Sequence, residues 1–117
     1  MADLHSIPHP LPAVLAELIA QRFRVIGEPM RIRILDQLRE GPATVSELND
    51  ALGTTQQNVS KHLVVLHQAG IVGREKVGTR ARYSIADESV FDLCEQVCGG
   101  LRRRIARLEG VLAAAPE

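Results

Sequence analysis

Between Thr44 and Gln57 the chain writes two helix starts with almost no room between them. Thr44-Val45-Ser46-Glu47 has the spacing of a capping box, in which the Thr and Glu side chains each satisfy the other's free backbone N–H. Thr54-Thr55-Gln56-Gln57 offers a second box immediately after Gly53, a residue suited to closing the first helix. Leu48 and Leu52 are expected to face inward from the first helix, and Val59, Leu63 and Leu66 from the second, which runs until Gly70. Two short capped helices joined this tightly form a helix-turn-helix, a constraint that organises the rest of the chain.

The flanking segments fit around that pair. Pro8, Pro10 and Pro12 punctuate a polar tract read as a flexible N-terminal arm over residues 1–12. From Ala13, the positions Val14, Leu15, Leu18, Ile19 and Ile26 recur at helical spacing up to Gly27. Pro29 suits the first turn of a second helix, with Met30, Ile34, Leu35 and Leu38 as its apolar stripe and Gly41-Pro42 as its stop. After Gly70 the helical period is lost, and Ile71–Val77 and Arg80–Ile85 read as two strands joined at Gly78-Thr79. Asp87 then caps a long last helix in which Val90, Cys94, Val97, Leu101, Ile105, Leu108 and Leu112 repeat every three or four residues. The expected fold is mainly α with a small β-hairpin: a winged helix-turn-helix over residues 13–115, with four helices, the hairpin and a fifth helix.

Composition agrees with one compact domain. Aromatic residues are few, with Phe23, Tyr83 and Phe91 and no Trp, so Leu, Ile and Val must build the core, which suits packed helices. No apolar run reaches the length of a spanning helix and no export signal opens the chain, so the cytoplasm is expected and a membrane is not. In that compartment Cys94 and Cys98 are expected to be reduced thiols. The net charge of zero argues neither for nor against a polyanionic partner, because the local distribution of charge decides that.

Locally the charge is arranged for double-stranded DNA. The second helix of such a pair is the one placed in a groove. Here its outward residues are Gln56, Gln57, Ser60 and Lys61, followed by Val64 and Gln68, with Thr55 at its start. Gln pairs bidentately with adenine, Ser bonds bases or phosphates, and Lys contacts guanine or phosphate. In the hairpin, Arg74 and Lys76 on one strand and Arg80 and Arg82 on the other are expected on a common outward surface, opposed only by Glu75. The alternatives are a solvated helix face and a solvated hairpin. A last helix with an apolar stripe along most of its length outruns a domain this small, so part of the stripe is expected to meet a second copy of the chain. A two-fold homodimer would set its two recognition helices roughly 34 Å apart, facing a near-palindromic site.

The motifs Phe23-Arg24-Val25-Ile26-Gly27-Glu28-Pro29-Met30-Arg31-Ile32-Arg33-Ile34-Leu35, Gln57-Asn58-Val59-Ser60-Lys61-His62-Leu63 and Leu66-x-x-Ala69-Gly70-Ile71-Val72, in that order, resemble the ArsR/SmtB family of bacterial repressors. The resemblance extends over about residues 14 to 112 and implies a dimeric winged helix-turn-helix, with the first and last helices at the dimer interface and an effector that releases DNA. The family's Cys-x-Cys metal element would fall on Thr44 and Ser46, which carry no thiol. Its last-helix site matches at Asp87 but meets Ser89, Gly100 and Arg103 at the other positions. The resemblance also gives His62 a structural or phosphate contact rather than a metal bond; His67 lies nearby.

Cys94 and Cys98 remain, one turn apart on one helical face, where two thiolates suit a soft or transition metal ion, a trivalent metalloid or an oxidant. Two ligands do not close a tetrahedral zinc site, so His5 and His9, or the partner chain's thiols, would have to complete it. The competing reading makes both cysteines small apolar packing residues in the dimer seam. An enzyme is not expected, since no Gly-rich phosphate loop, nucleophile motif or facing carboxylate pair is present. The remaining rivals are a winged-helix module that docks another protein and a regulator that needs no effector; salt-dependent affinity for duplex DNA separates the first of these from a DNA binder.

Overall fold

The structure, a computed structural model, describes residues 7–114. These fall into two compact units, one ending at Ala86 and the other beginning at Asp87. Residues 1–6 of the arm, His5 among them, lie outside the described residues, as does residue 115. The first unit contains α1 (Ala13–Ile26), α2 (Pro29–Leu38), β1 (Ala43–Thr44), α3 (Val45–Leu52), α4 (Gln56–Gln68), β2 (Val72–Val77) and β3 (Arg80–Ile85), and the second is built on α5 (Ser89–Ala114). Among the described residues no helix is long and apolar enough to cross a membrane.

Each helix start has a local cause. Glu28 caps α2, its carboxylate accepting the Arg31 N–H at 3.0 Å, while Pro29 occupies the first turn, where its missing N–H costs nothing. At α3 both halves of the capping box form: the Thr44 hydroxyl accepts from the Glu47 N–H at 3.2 Å and the Glu47 carboxylate from the Thr44 N–H at 3.0 Å. Gly53 ends α3 in the left-handed region at φ +64°, donating its N–H to the Asn49 carbonyl. Asp87 stands before α5, accepting the Ser89 N–H at 3.0 Å and the Ser89 hydroxyl at 2.6 Å.

The start of α4 departs from the expected box. Thr55, not Thr54, has the extended cap conformation and accepts the Asn58 N–H at 3.1 Å. That register puts Asn58, rather than Gln57, third in the helix, and its side-chain amide turns to the Thr54 hydroxyl at 3.0 Å instead of reaching back to the cap. Two consecutive threonines made the register ambiguous.

Ile34, Leu35 and Leu38 of α2, Leu48 and Leu52 of α3, and Val59, Leu63 and Leu66 of α4 form one buried cluster, continued by Ile71, Val72 and Tyr83 at the sheet. Full burial of each such aliphatic side chain stabilises by about 1.5–3 kcal/mol. The guanidinium of Arg33 donates to the Leu52 carbonyl at 3.5 Å, and that of Arg22 to the Ala69 carbonyl at the end of α4 at 2.9 Å, so α2 and α1 each satisfy a helix C-terminus.

The hairpin of β2 and β3 turns at Gly78, which has φ +64°. It gains an unexpected third member. Ala43 and Thr44 pair antiparallel with Tyr83 and Arg82, giving a sheet ordered β1-β3-β2. A strand of two residues is too short to show any alternation in sequence.

The cap register yields a test. Thr55→Ala should cost about 1 kcal/mol in urea unfolding, whereas Gln57→Ala should stay within about 0.5 kcal/mol, since its side chain closes no box.

Candidate nucleic-acid interface

The orientation of α4 follows from its buried stripe. Val59, Leu63 and Leu66 have no exposed surface, and the turn they define leaves Gln56, Gln57, Lys61, Val64 and Gln68 exposed and Ser60 half-buried on the opposite side. These are the outward residues expected from sequence. Thr55, at the exposed N-terminus of the helix, already spends its hydroxyl on the cap.

His62 does not belong to that outward face. It is 7% exposed, one turn from Val59 and Leu66 on the inward side. Its Nδ1 lies 3.2 Å from an Arg31 guanidinium nitrogen and its Nε2 lies 3.6 Å from the Glu28 carboxylate. Of the structural or phosphate contact expected of His62, the structure gives the structural one, and its place among the DNA-contacting residues is corrected: the i, i+3, i+4, i+7 spacing of Val59, His62, Leu63 and Leu66 puts it on the core stripe. Arg31 and Glu28, which sequence reasoning passed over, are the residues it meets. The signal was present, since Glu28 before Pro29 marks a helix cap.

The wing also differs from expectation. The register sets Arg74 opposite Tyr83, Glu75 opposite Arg82, Lys76 opposite Ala81 and Val77 opposite Arg80. Residues directly opposite share a face and neighbours along a strand alternate. Arg74 and Lys76 thus lie on one face and Arg80 and Arg82 on the other, not on a common surface. The reason is the two-residue turn, which pairs even-numbered positions with odd-numbered ones. Arg74, paired with the buried Tyr83, donates Nε–H to its hydroxyl at 3.2 Å, while Glu75 sits directly across from Arg82.

The second wing face meets the start of the helix pair at Thr44. Thr44, opposite Arg82 in the sheet, is also the cap of α3. Arg80 and Ala81 line one open cleft of about 270 Å³ together with Thr44, Val45 and Ser46 at the start of α3 and Gln56 at the start of α4. Hydrogen bonds from the Thr44 backbone and hydroxyl hold the Glu47 carboxyl below its usual range, and the Arg82 and Arg80 charges add to the effect. The cleft thus gathers a cation, a helix N-terminus and the leading residue of α4, groups that favour a negatively charged oxygen.

On α5 the cysteines are free: Cys94 is half-buried and Cys98 exposed. Among the described residues no group of three or more His, Cys, Asp or Glu is placed to hold a metal ion, so these residues of a single chain do not close a metal site. His9 is exposed in the segment preceding α1. Val97, Leu101, Ile105 and Leu108 are each more than half exposed along α5, as are Val14 and Leu18 on α1.

A family model for a helix-turn-helix domain matches residues 26–74. The transcriptional repressor SmtB of Mycobacterium tuberculosis is 38% identical over 86 residues, covering 74% of this chain and 64% of that protein. The chain therefore matches slightly less than two thirds of that relative's length. The transcriptional regulator NmtR of the same organism is 36% identical over 87 residues, covering 74% of this chain and 72% of NmtR. A solution structure of apo-NmtR superposes with a TM-score of 0.66 at 31% identity, over 88% of this chain and 87% of that one. The homodimeric winged helix-turn-helix DNA-binding domain Mb0332 of Mycobacterium bovis gives a TM-score of 0.70 at 28% identity, over 81% and 88% of the two chains.

The inward stripe of α4 decides which residues are presented. Leu63→Ala should cost about 2–5 kcal/mol, and Val64→Ala, next to it in sequence, about 0.5 kcal/mol or less; urea midpoints of the two variants check the orientation.

Proposed function

Because this chain belongs to the ArsR/SmtB family of winged helix-turn-helix transcriptional regulators, we propose that it represses transcription in the cytoplasm as a homodimer on a near-palindromic DNA site. One observation carries the reading: α4 turns Gln56, Gln57, Ser60 and Lys61 to its outward side, and Gln56 at its start lines a cleft that Arg80 shares. Gln56, Gln57, Ser60 and Lys61 read base edges in the major groove, and Arg80 and Arg82 hold phosphate beside them. Arg74 and Lys76, on the other face of the wing, supply flanking phosphate contacts.

Homodimer formation is supported by the exposed apolar faces of α1 and α5 and by the charge pattern of α5. Asp92 and Glu95 lie in its N-terminal half and Arg102, Arg103, Arg104 and Arg107 in its C-terminal half. Two copies related by a two-fold axis and running antiparallel set each acidic half against the partner's basic half. The midpoint between Asp92 and Arg107 falls at Gly99-Gly100, where the absence of side chains lets two helices approach closely.

An effector acts at Cys94 and Cys98, one helical turn apart in each copy, a thiol pair that suits a soft metal ion, a metalloid or an oxidant. Binding there changes the spacing of the two recognition helices and weakens DNA affinity through a coupling free energy.

The reduced protein should enrich a palindromic site from genomic fragments, and the agent that releases it, among soft metal ions, arsenite and an oxidant, identifies the effector. Release by none of them leaves the cysteines as packing residues, and no enrichment at all removes the DNA-binding reading in favour of a protein-docking one. Lys61→Ala and Arg80→Ala should each reduce the slope of log affinity against log salt by about 1. In the dimer, Arg107→Asp should raise the dissociation constant by about tenfold, and adding Asp92→Arg to the same chain should restore it, as read by sedimentation.

A further inference from the structure

The Arg31 side chain joins the end of α1, the start of α2 and the middle of α4. Its Nε donates to the Val25 carbonyl at 2.5 Å and one terminal nitrogen to the Arg24 carbonyl at 3.4 Å, both in the last turn of α1. The other terminal nitrogen points at His62 Nδ1, 3.2 Å away. A guanidinium has donors only, so Nδ1 must present a lone pair, and the ring's single proton belongs on Nε2, toward Glu28. The same Glu28 oxygen caps α2. Arg22 of α1 holds the C-terminal carbonyl of Ala69, so α4 is held at two heights, there by α1 and at His62 by an α2 side chain anchored on α1.

We propose that Arg31 and His62 are positioning residues for DNA recognition: a strut from the end of α1 that holds the outward face of α4 at its reading angle as long as His62 Nδ1 is unprotonated. The inference rests on the DNA-binding reading above. His62 directly follows the outward Lys61 in α4, so a shift of the helix backbone at the ring carries the reading residues with it. A proton on Nδ1 removes the acceptor and sets two cations against each other in a buried place. The charged groups facing the ring are Glu28 and Arg31 from the start of α2 and Lys61 from α4.

Burial, with Arg31 and Lys61, outweighs the attraction of Glu28 and holds the ring's pKa below its ordinary 6.5. The folded chain therefore binds fewer protons than the unfolded chain in that window. The stability this contributes is complete above pH 6.5 and declines as the pH falls below it.

Nitrogen-15 spectra of the wild-type ring at neutral pH should show Nδ1 as the unprotonated nitrogen; the opposite tautomer overturns the strut, whatever the protein binds. Affinity is then measured for the selected duplex and for a scrambled duplex of equal length, from about pH 7.5 down to about pH 5.5. The ratio of the two should fall by about tenfold, the scale of one lost buried acceptor, with a midpoint lying between the ring's titration midpoints in the spectra of the free protein and of the complex. A midpoint outside that interval overturns the proposal without recourse to any variant. His62→Asn places a non-titrating acceptor near the Nδ1 position and should keep its ratio constant to within about threefold across the range, while His62→Leu should lose discrimination already at neutral pH with its circular dichroism unchanged. Parallel profiles for the wild type and His62→Asn would assign the pH dependence to other groups. Failure to select any duplex defeats the DNA-binding reading, and the ring spectra then decide the strut alone.

Discussion

The burial of Val59, Leu63 and Leu66 against α2 and α3 is the interaction on which the rest of this molecule depends. Those three side chains set the rotation of α4 about its axis, and with it the identity of every outward residue. A different rotation would bring Val65 and Leu66 to the surface and bury Lys61, whose charge has no partner in the core. Burial is non-directional, so it fixes the rotation only coarsely. The directional contacts at the helix ends and at His62 refine what the apolar stripe begins.

Net charge says little about a chain like this, because its charges cancel in sum and separate in space. Lysine and arginine together number the same as aspartate and glutamate. Yet α5 is acidic toward one end and basic toward the other, and the exposed wing carries four cations against one carboxylate. At physiological ionic strength charges beyond about 8 Å are screened, so a ligand meets neighbourhoods rather than totals. Glu75 illustrates the point: placed directly across from Arg82, it tempers one face of the wing and leaves Arg74 and Lys76 on the other.

Sequence reasoning reached the helices, the hairpin and the core because each has a repeated local signal: apolar spacing, threonine caps, and glycine at turns. The elements it missed lack repetition. β1 is two residues long and exists only because β3 has a free edge beside it. The division of the wing's arginines between two faces depends on whether the turn contains an even or odd number of residues, which the flanking strand pattern alone leaves open. Thr54 and Thr55 are chemically equivalent as caps, and only the onset of helical geometry chooses between them. The family resemblance left His62 between a structural and a phosphate contact, and its place on the buried stripe, beside Leu63 and three residues after Val59, decides for the first. Its pairing with Arg31 is a contact across thirty-one positions, beyond the reach of any local pattern.

Thr44 serves two structures at once, as the last residue of β1 and the cap of α3. The wing and the helix pair are therefore not separable modules. Exchanging residues 72–85 for the hairpin of a relative would also replace the edge against which Ala43 and Thr44 pair, and so disturb the onset of α3. A chimera built at the visible boundaries of the hairpin carries a hidden third strand left behind in the recipient, and successful grafts must move residues 43–44 along with it.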